Sequence, residues 1–144
     1  MSRFGRSILA CALLLAASIP CRAACTATAT SVVFNTYDVF DTLNNDITGT
    51  ITVRCNPSQA YTLSLSTGAG TFASRTLVNG SFLLSYNLYT DATRLTIWGD
   101  GTSGTSIVSG NAKNATHTVY GRIPARQNAH MGSYTDTIVV TITY

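Results

Sequence analysis

The 144-residue chain contains no glutamate; its six acids are all aspartate. Charged residues make up 10% of it, which leaves few groups for acid–base work. A catalytic carboxylate pair would have to come from those aspartates. Asp91 and Asp100 stand in turn contexts, where the side chain bonds nearby backbone. Asp38, Asp41 and Asp46 lie in or beside the loop before a strand. The two histidines are His117, expected on an outward strand position, and His130, expected in a loop. Neither has acidic or cysteine neighbours that would complete a metal site. No serine sits in a nucleophile elbow. Gly99-Asp100-Gly101 lacks a phosphate-loop context and reads as a tight turn. No window carries an amphipathic helical period. The sequence therefore reads as non-enzymatic, with no cofactor and no metal.

Residues 1–23 read as a secretory signal peptide. Arg3 and Arg6 form its positive end, and residues 8–17 form an apolar run too short to span a membrane. Cleavage after Ala23 leaves residues 24–144 as one domain with one core. Three of the nine basic residues lie in the signal, so the remainder balances its six aspartates. That neutrality removes the electrostatic case for nucleic acid or an anionic membrane. Cys11 and Cys21 leave with the signal. Cys25 and Cys55 remain in an oxidising compartment with one intramolecular pairing open to them. Two free thiols or half of a metal site are the other readings; a structural disulfide is the expectation.

What is present is a series of short alternating runs separated by turns. Residues 26–34 form a first strand anchored by Val33 and Phe34. Tyr37, Val39 and Phe40 make a second apolar cluster. Ile51, Val53 and Cys55 share a face in residues 47–55, and Pro57-Ser58 breaks that strand. Tyr61, Leu63 and Leu65 form the next inward row. Asn79-Gly80 is the strongest hairpin signal, followed by Leu84, Tyr86 and Leu88 on one face. Trp98, at the end of the Leu95/Ile97 run, is expected in the core or at its rim. Residues 107–108 and 117–123 are strands, the second with Val119, Gly121 and Ile123 on one face. Seven or eight short strands at regular spacing mean a β-sandwich.

The last stretch organises the rest. Ile138, Val140, Ile142 and Tyr144 point one way, and Val139, Thr141 and Thr143 the other. An apolar strand with no lysine or proline is an odd occupant of a sheet edge. The expectation is that something else pairs with it.

Several stretches, in this order, resemble the spore coat protein U family. They are Tyr61-Thr62-Leu63-Ser64-Leu65-Ser66, Leu84-Ser85-Tyr86-Asn87-Leu88-Tyr89-Thr90-Asp91, Trp98-Gly99-Asp100-Gly101, Val119-Tyr120-Gly121-Arg122-Ile123-Pro124 and Gly132-Ser133-Tyr134-Thr135-Asp136-Thr137. This family supplies subunits of archaic (Csu-type) chaperone–usher pili. The resemblance implies an incomplete immunoglobulin-like sandwich that lacks its last strand. It implies three partners: a periplasmic chaperone, an outer-membrane usher and a neighbouring subunit that donates the missing strand. The donor groove would be flanked by Val33 on the first strand and by Ile138, Val140, Ile142 and Tyr144 on the last. Fibre-forming members carry an alternating stretch before the first cysteine, whereas Cys25 lies close to the predicted cleavage site. That departure implies a tip subunit at the cell surface. The competing reading is a secreted β-sandwich that folds alone and binds a carbohydrate or surface ligand through its loops.

Overall fold

Two segments of this chain each run as one strand across a whole sheet, absorbing a slip of phase or register part-way along. The computed structural model describes residues 23–144. Most of the predicted signal, with Cys11 and Cys21, lies outside the described residues. Six strands follow in order: β1 Ala24–Ala29, β2 Asn45–Leu65, β3 Arg75–Asn79, β4 Phe82–Tyr89, β5 Val108–Ile123 and β6 Val140–Thr143. β2 is 21 residues long and β5 is 16. Each replaces two of the shorter strands expected from sequence, which is why six strands appear rather than seven or eight. Pro57 does not end β2. The ladder to β5 shifts register between Arg54 and Gln59, so no backbone N–H is needed at the proline.

Every strand pair is antiparallel, in the order β1-β2-β5-β4-β3, with β6 also on β2. The sheet curls. Val78 on β3 exchanges both backbone bonds with Thr135, so the last segment closes on β3 before it joins β2 as β6. The result is an all-β, immunoglobulin-like sandwich made from one bent sheet, open along one side.

The inward rows expected for β2 and β4 fill the core: Ile51, Val53, Tyr61, Leu63, Leu65, Leu84, Tyr86 and Leu88 are all buried. Trp98 is fully buried, and its indole N–H donates to the Leu63 carbonyl at 3.1 Å. This satisfies the one polar atom that ring carries into the core. The hairpin forms one residue later than the dipeptide signal: Asn79 pairs with Phe82, and Gly80, at φ 60°, takes the first turn position. Phe40, expected in an apolar cluster, is 88% exposed.

Cys25 lies opposite Cys55 in the β1–β2 register, and the two form a disulfide across a sequence separation of 30. Closing a loop of that length stabilises the fold by about 3–4 kcal/mol in the chain-entropy picture. His117 does not face solvent as expected. It has the parity of Val119 and Ile123, so it turns inward, and its Nε2 lies 2.8 Å from the Tyr61 hydroxyl. Burial lowers the pKa of that imidazole.

Candidate functional site

Both β1 and β6 hydrogen-bond to the same edge of β2, the edge opposite β5. β1 starts near the bend in β2, with Ala24 opposite Asn56, and runs away from it to Ala29 opposite Ile51. β6 runs toward the bend, from Val140 opposite Leu65 to Thr143 opposite Thr62. The two strands are the arms of a V, antiparallel to each other. Between them, extended by residues 30–34 on one arm and 136–139 on the other, lies a groove of about 310 Å³.

Its floor is apolar: Ile51, Leu65, Leu77, Leu88 and Val119, with the Tyr86 ring at one end. One wall is Thr30, Val32 and Phe34, and the other is Asp136, Ile138 and Val140. Val32 and Phe34 fold down onto β2 and β5 because glycine lies beneath them. A β-carbon at Gly49 would come within 2.8 Å of the Val32 side chain, and one at Gly121 within 2.9 Å of the Phe34 ring. Phe34 then meets Tyr86 edge-on, ring centroids 5.9 Å apart.

The backbone of both walls is open. Thr30 donates its N–H to the Thr50 carbonyl; beyond it, residues 31–34 make no backbone–backbone bond among the described residues. On the other wall, Val139 turns both backbone groups toward Ser66: its carbonyl accepts the Ser66 N–H, and its own N–H donates to Ser66 Oγ. Alternation along an extended chain therefore turns the N–H and C=O of Ile138 into the gap, where neither has a backbone partner among the described residues. Two unpaired edges face each other over an apolar floor, a template for one more strand.

One end of the groove is polar. The Tyr86 hydroxyl donates to Asp136 Oδ2 at 2.6 Å, while the N–H groups of Ala69 and Thr137 donate to Oδ1 at 3.0 and 2.7 Å. Burial first, and then the bond to Asp136, push the Tyr86 phenol far up, so it remains a donor. Beneath this end lies Arg75, with no exposed surface. Its guanidinium donates to the carbonyls of Ser66 and Trp98 and to Asn87 Oδ1 at 2.7–3.1 Å. Burial lowers its pKa, with Tyr86 and Asp136 acting in the opposite sense.

The structure sorts the residues singled out from sequence. Ile138 and Val140 line the groove. Ile142 lies opposite Leu63 and packs on the core beyond the groove's end. Tyr144 is 57% exposed and Val33 is 71% exposed; neither is in the lining. Val33 fails because the first strand does not keep its phase. Cys25 and Ala27 face inward, Ala29, Thr30 and Ser31 are all exposed, and the alternation resumes one residue out of step, with Val32 and Phe34 inward. Asp136 and Gly49 were not singled out, and Tyr86 and Gly121 were placed on inward faces without a part in the groove. Parity with Ile138 would have found Asp136, and parity with Val119 marks Gly121.

The remaining aspartates serve local structure. Asp46 holds Arg122 through two hydrogen bonds at 2.7 and 2.8 Å and lies 3.3 Å from Arg94. Arg122 lowers the pKa of that carboxyl. Asp38, Asp41 and Asp100 each accept a backbone N–H from within two residues, and Asp91 accepts those of Leu95 and Thr96.

The family model for the spore coat protein U domain matches residues 12–141. The chain belongs to the spore coat protein U family. A relative called Protein U, from Myxococcus xanthus, is 38% identical over 126 residues, covering 77% of this chain and 70% of its own. Among solved structures, the spore coat U fold matches a chain in the complex of the chaperone CsuC with the tip adhesion subunit CsuE, from archaic chaperone–usher Csu pili of Acinetobacter baumannii. The TM-score is 0.63 at 19% identity, covering 85% of this chain and 40% of that one. The likeness establishes a shared fold; this chain spans two fifths of the length of the one it matches. Within the spore coat U domain, the open groove is the feature that calls for a partner.

Proposed function

We propose that this protein is a structural, non-catalytic subunit of a chaperone–usher pilus that completes its fold by accepting a strand from another protein. The observation that carries the proposal is the pair of unpaired edges, residues 31–34 and 136–138, facing each other over an apolar floor. A periplasmic chaperone fills the groove first, an outer-membrane usher receives the complex, and a neighbouring subunit replaces the chaperone's strand at the cell surface. This is strand addition at a sheet edge. The groove residues proposed to grip the strand are Val32, Phe34, Ile138 and Val140. Each apolar side chain the donor buries contributes roughly 1.5–3 kcal/mol, and each new backbone hydrogen bond about 1 kcal/mol net. The six strands form an antiparallel ring with β1 and the last segment at its open ends, so an inserted strand runs parallel to one wall and antiparallel to the other.

The finer position proposed is the distal tip, where the subunit contributes to surface adhesion and biofilm formation. Its support is the tip subunit in the matched structure. Mixed with its chaperone and a major subunit, the protein is expected to form hetero-complexes and no homopolymer.

Expression with and without a chaperone tests the central reading. Alone, the protein is expected to aggregate or to melt at low temperature, and a synthetic alternating peptide is expected to rescue it. A compact, high-melting monomer whose Asp136 and Ile138 amides are already protected from exchange would sink the proposal in favour of an independent binding module.

A further inference from the structure

Asp136 is the one charged side chain in the groove lining. Its oxygens are unequally used: Oδ1 accepts two N–H groups, whereas Oδ2 accepts only the Tyr86 hydroxyl. By lone-pair count Oδ2 keeps one acceptor position, beside the close packing of Gly68 against the carboxylate. Among the described residues, no lysine or arginine forms an ion pair with Asp136; both ion pairs belong to Asp46. The buried cation near this end, Arg75, has four of its five N–H groups committed to Ser66, Trp98 and Asn87. It cannot swing toward Asp136 without leaving the Trp98 carbonyl without a partner.

While the groove is open, water completes the solvation of Asp136. A strand lying between residues 30–34 and 136–139 removes that water. Alternate side chains of such a strand point down into the groove, and one of them arrives next to Asp136 and Tyr86. An apolar side chain there leaves a carboxylate charge partly desolvated, and a second carboxylate adds repulsion. A donor group takes the vacant acceptor site and compensates the charge.

We infer that Asp136 selects among strands. The preferred occupant is apolar at its inward positions except for one hydrogen-bond-donating side chain, best an ammonium, that meets Asp136 Oδ2 at the Phe34–Tyr86 end of the groove. This rests on the strand-accepting reading and deepens it: the groove's apolar floor supplies affinity, and Asp136 fixes the strand's register and direction. A strand inserted backwards, or shifted by two residues, places its donor group over the apolar part of the lining instead.

The test uses the purified, oxidised protein, held below the low melting temperature expected of the empty groove and shown to be monomeric there, and a set of nine-residue synthetic peptides. The parent has valine at its inward positions and threonine at its outward ones. In the others, one lysine replaces each inward valine in turn. Binding is followed by calorimetric titration of wild type and Asp136→Asn, a replacement that keeps the side chain's shape. The expected result is that one lysine position binds wild type about tenfold more tightly than the parent, the scale of one charge-assisted hydrogen bond. The other lysine positions bind more weakly. In Asp136→Asn the preference at the favoured position disappears, and the parent binds no more weakly than it does to wild type, because the charge it desolvated is gone. Equal loss at every lysine position, or a preference that survives Asp136→Asn, overturns the inference and leaves the groove reading intact. Failure of every peptide, parent included, overturns both.

Discussion

Replacing Arg75 with methionine keeps most of the aliphatic stem and removes the guanidinium, which isolates what the buried charge does. Three acceptors lose a donor. The carbonyls of Ser66 and Trp98 have no other partner among the described residues, whereas Asn87 Oδ1 keeps the Leu88 N–H. Two orphaned carbonyls at about 1–3 kcal/mol each suggest a loss of about 2–6 kcal/mol. Relief from burying a cation without a direct anion offsets part of this, so about 3 kcal/mol is the working value. With a urea dependence of about 1–3 kcal/mol per molar, the unfolding midpoint should fall by about 1–3 M. Unfolding is followed by the fluorescence of Trp98, whose carbonyl is one of the orphans, with an alternating peptide bound to remove any effect of the empty groove. Arg75→Lys, which restores one charged donor group, should recover part of the loss. The reasoning predicts a local consequence as well. Ser66 holds Val139 through two bonds, so amide exchange at 138–140 should accelerate more than exchange in β4. A methionine variant with an unchanged midpoint would refute the account of Arg75 as the pin of this end of the fold.

Two further outcomes follow from the same structure. Cys25→Ser with Cys55→Ser should cost about 3–4 kcal/mol from the lost loop closure, read as a lower urea midpoint equal to that of wild type under reducing conditions. Burial holds the His117 imidazole below its ordinary value of about 6.5, so the unfolded chain takes up that proton first. Stability is fully present above about pH 6.5 and declines as the pH falls from there toward the folded pKa. Thermal melts between pH 7.5 and 5 should show this slope in wild type and not in His117→Gln. The contribution of Asp46, whose carboxyl Arg122 holds low, persists through that window and is lost only in stronger acid.

Much of the fold was legible from the chain's own pattern. Leu63, Leu65, Leu84 and Leu88 repeat with period two and are buried where that period puts them. With Cys11 and Cys21 in the expected signal, Cys25 and Cys55 had one partner each, and the register places them opposite one another. Three things were hidden, each for a physical reason. A phase slip near Ser31 exchanges Val33 for Val32, and no residue type announces it, because the slip lies in the path of the backbone. Nothing in the sequence marks Arg75 for burial; that depends on the carbonyls of Ser66 and Trp98, which the folded chain brings to its guanidinium. Asp136 sits between Thr135 and Thr137 in a polar run, and only the curl of the sheet brings Tyr86 against it.

Both walls of the groove pair with β2 on either side of its register shift, and the second is also tied to β3 through Val78 and Thr135, so β2 sets their separation at one end of the groove only. Spreading them means straightening the backbone between Arg54 and Gln59, where the ladder to β5 already skips. The cleft is thus built like tweezers with its joint at that end. A substitution at that joint, far from any gripping residue, would change the tightness of the jaws while leaving every tooth in place.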